Sequence, residues 1–430
     1  MRLLLRTIAC IGVAGLASLA ACSGGSAVDG KTIKIGVDLP LSGDEGQAGV
    51  PALNGVRFYI HQHPVLQGFN VEVSARDDAL KGIHDAKVGA QNFSDLIADP
   101  QVMGIVGPFN ASVARAAIPL ANSAHLAVIS PATSNPCLTR DPYLPAGLNP
   151  TRAAIGCKAA GLPLPGDLRP AKTNNFFRLA TTDDLQGAAA ADYAFNTLHL
   201  LRVGVLSDRE VFGQALAAGF RARFTRLGGL VVAYQDFTPS ASLDLSSFFK
   251  QTKNDGGQAI YFGGVTANGG CAIRAQMAAV FGESAAVPYL GGSGIAEDPA
   301  CVRAAGGNAA GIYATVPVAD PDQVAASQPV IAAFKARYPN AWDYGAYTIL
   351  AYDATAILYS ALDRAITDAG GKLPTRQAVT ESVGADKTVG FDPAGDTAHR
   401  VVSIFEATSS DPAAPWRFAG AVDYSAKLPY

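Results

Sequence analysis

The chain has little surplus charge. Its 430 residues hold 33 lysine and arginine against 36 aspartate and glutamate, a formal net charge of −3. Without a basic excess to displace counterions from phosphates, no nucleic-acid partner is expected. Beyond residue 22 no apolar run is long enough to span a bilayer. There is no G-x-G-x-x-G and no G-x-x-x-x-G-K-[ST], which removes the usual dinucleotide and P-loop cradles. No C-x-x-C occurs and no cysteine has a neighbouring histidine, so no zinc site is expected. Gly291-Gly292-Ser293-Gly294-Ile295 comes near a nucleophile elbow but has isoleucine where the last glycine belongs. His61 and His63 read as solvated residues near a helix end, and His125 and His199 border apolar runs without a catalytic partner. The expectation is a binding protein rather than an enzyme, with no cofactor and no metal.

What is present is a globular composition, 49% hydrophobic and 16% charged, in a chain long enough for two domains. Arg2 and Arg6 precede an apolar segment from Ile8 to Leu19 and then Leu19-Ala20-Ala21-Cys22. A basic start, a short apolar core and small residues make an export signal. The tetrad resembles a bacterial lipobox, which implies cleavage before Cys22 and lipidation of Cys22. Residues 1–22 are then a signal peptide and 23–30 a flexible tether. Four cysteines remain: Cys137, Cys157, Cys271 and Cys301. An even number in an oxidising compartment suggests two disulfides. Three connectivities are open. Proximity favours Cys137–Cys157 and Cys271–Cys301, each worth about 3 kcal/mol if unstrained.

Residues 32–39, 70–77, 102–106 and 126–129 read as strands, with helical patterns at 50–62, 85–97 and from Asn110 to about Ala124. This strand–helix alternation is the signature of a doubly wound parallel sheet. Two turns, Gly107 to Ser112 and Ser130 to Pro136, would end neighbouring strands on the edge where open α/β sheets bind ligands. From 135 to 175 the pattern breaks into a Pro- and Gly-rich stretch, read as a surface excursion stapled by a disulfide. A second strand–helix series runs from about 176 to 290. Helical patterns at 328–338, 344–365 and 375–382 follow, then extended pieces at 399–407 and 418–422.

Five motifs in order are IKIGVDLPLSGDEGQAGVPALNG at 33–55, MGIVGPFNAS at 103–112 with ISPATSNPCLT at 129–139, FRLATTDDLQG at 177–187, VGVLSDREVFGQALAAGF at 203–220 and IYFGG at 260–264. With them the chain resembles the solute-binding proteins of bacterial ABC transporters, of the leucine/isoleucine/valine-binding type (periplasmic binding protein class I). The resemblance implies an α/β protein of two Rossmann-like, doubly wound lobes joined by a three-segment hinge. Lobe one would be 31–178 and 316–388, and lobe two 179–315 and 389–430. It implies a monomeric, extracytoplasmic, lipid-anchored receptor that closes on an amino acid, amide or small carboxylate and delivers it to ABC permease subunits. A ligand-sensing module of the same fold for a signalling partner is the alternative.

A zwitterionic ligand needs donors for its carboxylate and acceptors for its ammonium. The helix starting near Asn110 offers free N–H groups and a positive dipole end, and Ser112 adds a hydroxyl. In the resembled family a serine usually stands at the position of Ala111. Ala132 falls at the family's carbonyl position and Ser134 at its threonine. On lobe two, Ser293 replaces the family's acid, which leaves Glu297, Asp298 or Asp183 as ammonium partners. Phe212 stands for a usual tyrosine, and Val265-Thr266 and Ala48 stand where other tyrosines are typical. The expected ligand-binding set is therefore Ala111, Ser112, Ala132, Ser134, Asp183, Phe212, Thr266 and Ser293.

Overall fold

β1 (Thr32–Leu39) is apolar nearly throughout because both its faces are covered, with Ile33, Ile35, Val37 and Leu39 fully buried. It opens a computed structural model that describes residues 31–148, 153–240, 242–282, 287–387, 389–414 and 416–429. The expected signal segment, the tether and Cys22 lie outside the described residues. After β1 come α1 (Gly46–Gln62), β2 (Val65–Leu66), β3 (Phe69–Asp77), a hairpin of β4 (Ala79–Leu80) and β5 (Ile83–His84), α2 (Ala86–Ala98), β6 (Val102–Val106), α3 (Ala111–Ser123), β7 (Val128–Ser130) and β8 (Phe176–Arg178). Six of these strands form one sheet, β2-β3-β1-β6-β7-β8, parallel except at the β2–β3 pair.

The chain then crosses to a second layer: α4 (Asp183–Asp192), β9 (Arg202–Ser207), α5 (Val211–Arg226), β10 (Leu230–Asp236), α6 (Ser246–Asn254), β11 (Ala259–Gly263), α7 (Ala272–Phe281), β12 (Tyr289–Gly291), α8 (Pro299–Ala304) and β13 (Ile312–Val316). It returns with α9 (Gln328–Arg337), α10 (Thr348–Asp368) and α11 (Arg376–Ala385). It crosses a third time to β14 (Val401–Ala407) and β15 (Arg417–Asp423). The second sheet runs β10-β9-β11-β12-β13-β14-β15, antiparallel only from β13 onward. The fold is thus two doubly wound α/β lobes. α1 and α10 cover one face of the first sheet, and α2 and α3 the other. In the second lobe α5 lies on one face and α6, α7 and α8 on the other.

The glycine of the DDLQG motif has a packing reason. A Cβ on Gly187 would lie 2.5 Å from the Leu216 carbonyl oxygen, and one on Gly219 2.9 Å from that of Asp184. Only hydrogen at both positions lets α4 and α5 cross this closely.

A buried charge cluster ties the first crossover to the third. The Arg178 guanidinium, fully buried, donates to Asp396 at 2.7 Å and to the Asn135 carbonyl at 2.6 Å. Arg140 donates to Asp184 at 2.6 Å. Burial pushes the Asp396 carboxyl up, but the charge and hydrogen bond of Arg178 outweigh it and hold the group below its ordinary value.

The 135–175 stretch corrects the expectation of a surface excursion. Cys137, Leu138, Tyr143, Leu144, Leu148 and Cys157 are buried. Several of them share one apolar cluster with Leu185, Ala188 and Ala189 of α4 and Ala215 and Ala222 of α5. Those helices present alanine-rich faces, which gain a cover by receiving larger side chains from elsewhere. The disulfides are Cys137–Cys157, Cα atoms 5.7 Å apart, and Cys271–Cys301, 5.0 Å apart. These are the pairs that proximity favours.

Candidate functional site

Each sheet reverses its strand order once. In the first, β1 lies between β3 and β6; in the second, β9 lies between β10 and β11. A crevice opens beyond the carboxyl ends of strands at such a point. The turns after β1, β6, β7, β9, β11 and β12 all border one cleft of two communicating chambers. The smaller spans about 550 Å³ and the larger about 750 Å³. Phe109, Asn110, Val265, Ser293, Gly294 and Tyr347 are common to both.

On the first-sheet wall, hydroxyls fix the two turns to each other. Ser130 Oγ and Thr133 Oγ1 each donate to the Pro108 carbonyl at 2.7 Å. Gly107 sits at φ +122°, and a Cβ there would come within 2.3 Å of the Asp38 carbonyl oxygen. The turn after β6 therefore needs glycine to pass so close to β1. α3 begins at Ala111 with Asn110 in the cap position, and the Asn110 side chain makes no capping bond. Its Oδ1 is buried and unpartnered. The N–H groups of the first turn are left for another acceptor. α5 also starts at the cleft, at Val211, without a side-chain cap.

Among the expected residues, Ala111, Ser112, Ala132, Ser134, Phe212 and Ser293 line the smaller chamber, and Thr266 and Ser293 the larger. Thr266 Oγ1 donates to the Gly294 carbonyl at 3.3 Å. Ser293 on one wall lies beside the Tyr347 side chain on the other. Asp183 is not on the cleft wall. It is fully buried, its N–H donates to the Ser134 carbonyl at 2.9 Å, and its carboxyl faces the Ser134 side chain. Burial pushes that carboxyl up to about 7, only partly opposed by Ser134 and Arg178.

Sequence reasoning did not single out His84, Glu45, Phe109, Glu210 or Tyr347, all of which border the cleft. His84 Nδ1 lies 2.9 Å from Glu45. Burial pulls the imidazole down, but the Glu45 carboxylate prevails and holds it above its ordinary value. The signal for His84 was the Lys81-Gly82 turn, both residues at positive φ, that closes the β4–β5 hairpin. Among the described residues no group of three or more His, Cys, Asp or Glu is placed to hold a metal ion. No helix among them is long and apolar enough to cross a membrane.

The family model described as Periplasmic binding protein matches residues 32–402. The chain is 26% identical over 389 residues to a Leu/Ile/Val-binding protein homolog 1 of Brucella abortus, covering 89% of this chain and 91% of that one. Its fold is similar to that of the leucine-binding protein LivK of Thermotoga maritima, with a TM-score of 0.72 and 22% identity, over 91% of this chain and 98% of that one. It is also similar to a solute-binding protein of an R. palustris ABC transporter in complex with 4-hydroxybenzoate, with a TM-score of 0.70 and 17% identity, over 91% and 97% of the two chains.

Proposed function

Because this chain belongs to the periplasmic binding protein family, we propose that it is an extracytoplasmic receptor that captures an amino-acid-like solute between its lobes and delivers it to the permease of an ABC importer. We assign it binding rather than turnover, and attachment to the membrane through a lipid on Cys22. The observation that carries the reading is the meeting of Ala111, Ser112, Ala132 and Ser134 with Phe212 and Ser293 around one chamber.

The roles follow from the chemistry of each group. The ligand carboxylate takes the orphan N–H groups at the start of α3 and the Ser112 hydroxyl, so Ala111 serves through its backbone. The ligand ammonium donates to the Ala132 carbonyl, the Ser134 hydroxyl and, once the lobes close, the Asp183 carboxylate behind it. Asp183 has no hydrogen-bond partner for either oxygen. A buried, unpaired carboxylate is costly, and an incoming ammonium relieves that cost. Phe212 and Thr266 bound the space left for the ligand's side chain.

A thermal-shift panel of amino acids, amides and small organic acids tests the reading. A ligand present at 100 times its Kd should stabilise the protein by about 2.7 kcal/mol. Absence of a shift with every member of the panel would defeat it.

A further inference from the structure

The charge of the cleft wall is one-sided. Asp44, Glu45, Glu210, Glu297 and Asp298 line the two chambers, and no lysine or arginine does. Two of these acids are already engaged. Glu45 is paired with His84 at 2.9 Å, and Asp298 caps the Ala300 N–H at 2.7 Å. Among the described residues, Asp44 on the first lobe and Glu210 and Glu297 on the second have no hydrogen bond or ion pair for their side chains; Glu210 borders the smaller chamber, Asp44 and Glu297 the larger. The carboxyl of Asp183, fully buried and without a hydrogen-bond partner for either oxygen, lies behind the Ser134 side chain. Phe109 and Tyr347 form an edge-to-face pair 4.8 Å apart on the wall common to both chambers. Aromatic faces attract cations as the acids do.

Among the described residues the one basic side chain on the wall is His84, which borders the smaller chamber alone, with Ser112 and the start of α3. The cleft is therefore polar along its length. Its anion-accepting groups gather in the smaller chamber, and two of the three acids without a partner, Asp44 and Glu297, gather in the larger.

We infer that the solute carries a second positive charge: it is an α-amino acid whose side chain ends in an ammonium or guanidinium, and Glu297 pairs with that group in the larger chamber. This rests on the reading of the cleft as an amino-acid site and names the class of side chain it selects. Glu297 takes over, four residues further along the chain, the lobe-two acid that Ser293 does not supply, but it addresses the far end of the ligand. Burial, with Asp320 and Asp322 nearby, pushes the Glu297 carboxyl up to about 7, as an acid awaiting a cation would be.

Calorimetric titration of the purified protein with L-arginine, L-lysine, L-leucine and 4-hydroxybenzoate tests it, with Glu297→Gln as the variant. The expected result is that arginine or lysine binds more tightly than leucine, and that Glu297→Gln weakens the cationic ligand at least tenfold while its melting temperature without ligand is not lowered. Binding of leucine or 4-hydroxybenzoate in preference to both cations overturns the inference and leaves the receptor reading standing. Equal affinity of Glu297→Gln and the parent for arginine and lysine also overturns it. No binding by any of the four overturns it together with the amino-acid reading.

Discussion

The first-lobe wall of the cleft meets the ligand with regular structure: the ends of β6 and β7 and the opening turn of α3. The second-lobe wall meets it largely with irregular chain, Val265-Thr266 after β11 and Ser293 to Asp298 after β12. A strand end or helix start offers backbone N–H and C=O groups at fixed positions, and these recognise what every amino acid shares. Irregular chain offers side chains, and these distinguish one amino acid from another. On the proposed reading, the wall built from the backbone should change little with alanine rather than serine at 111, whereas the side-chain wall should change its preference with the acid at 297 rather than 293.

Substitutions that act on one wall alone break or sharpen this contrast. The largest effect is expected from Asp183→Asn, which removes the charge behind Ser134. Binding of any amino acid should fall by about tenfold to a hundredfold, the worth of a charge-assisted hydrogen bond. Melting of the ligand-free variant at pH 8 should rise, by about 1–2 kcal/mol. The folded-state pKa of Asp183 is raised, so the group's stabilising contribution is complete below the unfolded value and lost as pH rises through about 7. Removing the carboxylate removes that loss. A variant that binds normally would leave the first wall without its ammonium partner.

Next in size is pH. Affinity for a cationic amino acid should rise from pH 6 to pH 8 by about tenfold for each acid that must ionise, about a hundredfold for the two together, with protons released on binding. Asp183 and Glu297 both sit near 7 and must ionise to meet a cation. The charged and titratable groups around Asp183 are Arg178, Asp184 and Arg140, with Tyr143, Tyr261 and Tyr347. Those around Glu297 are Asp320, Asp322, Tyr344 and Tyr347. Titrations in buffers of different ionisation enthalpy measure the release, and a flat profile would remove the acids from recognition.

Ser134→Ala should weaken all amino acids alike, about fivefold, because it loses one hydrogen bond to a group they share. A loss that depends on the side chain would show that the first wall also discriminates. Ser293→Ala should cost least, about twofold. It removes a hydroxyl that lies beside Tyr347 across the cleft. Isothermal titration resolves both.

Sequence reading found the β6 and β7 turns of the first wall for a physical reason. Those turns carry their own punctuation, Gly107-Pro108 and the Ser-Pro-Ala-Thr-Ser run, and they follow apolar strands that bound them. The β4–β5 hairpin escaped because two-residue strands show no period, and with it went His84. Tyr347 escaped because it reaches the cleft from a returning chain segment, 238 residues after the Phe109 ring it packs against. Pairings at that separation are set by packing, not by local pattern. The 135–175 stretch was misplaced for the opposite reason: its apolar residues are irregularly spaced and face a partner made mostly of alanine. A hydrophobic face with no period of its own gives no warning that it will be covered.

That stretch has a mechanical consequence. It leaves β7 and re-enters β8, so both of its ends belong to the first sheet, yet Tyr143, Leu144, Leu148 and Leu162 lie in one apolar cluster with helices of the second lobe. Parting these surfaces would wet each of those side chains at roughly 1.5–3 kcal/mol apiece. The stretch is therefore anchored in the first sheet by its ends and in the second lobe by its side chains, so any movement of one lobe against the other must break or carry this contact. The Cys137–Cys157 bond ties together two points of that stretch 20 residues apart.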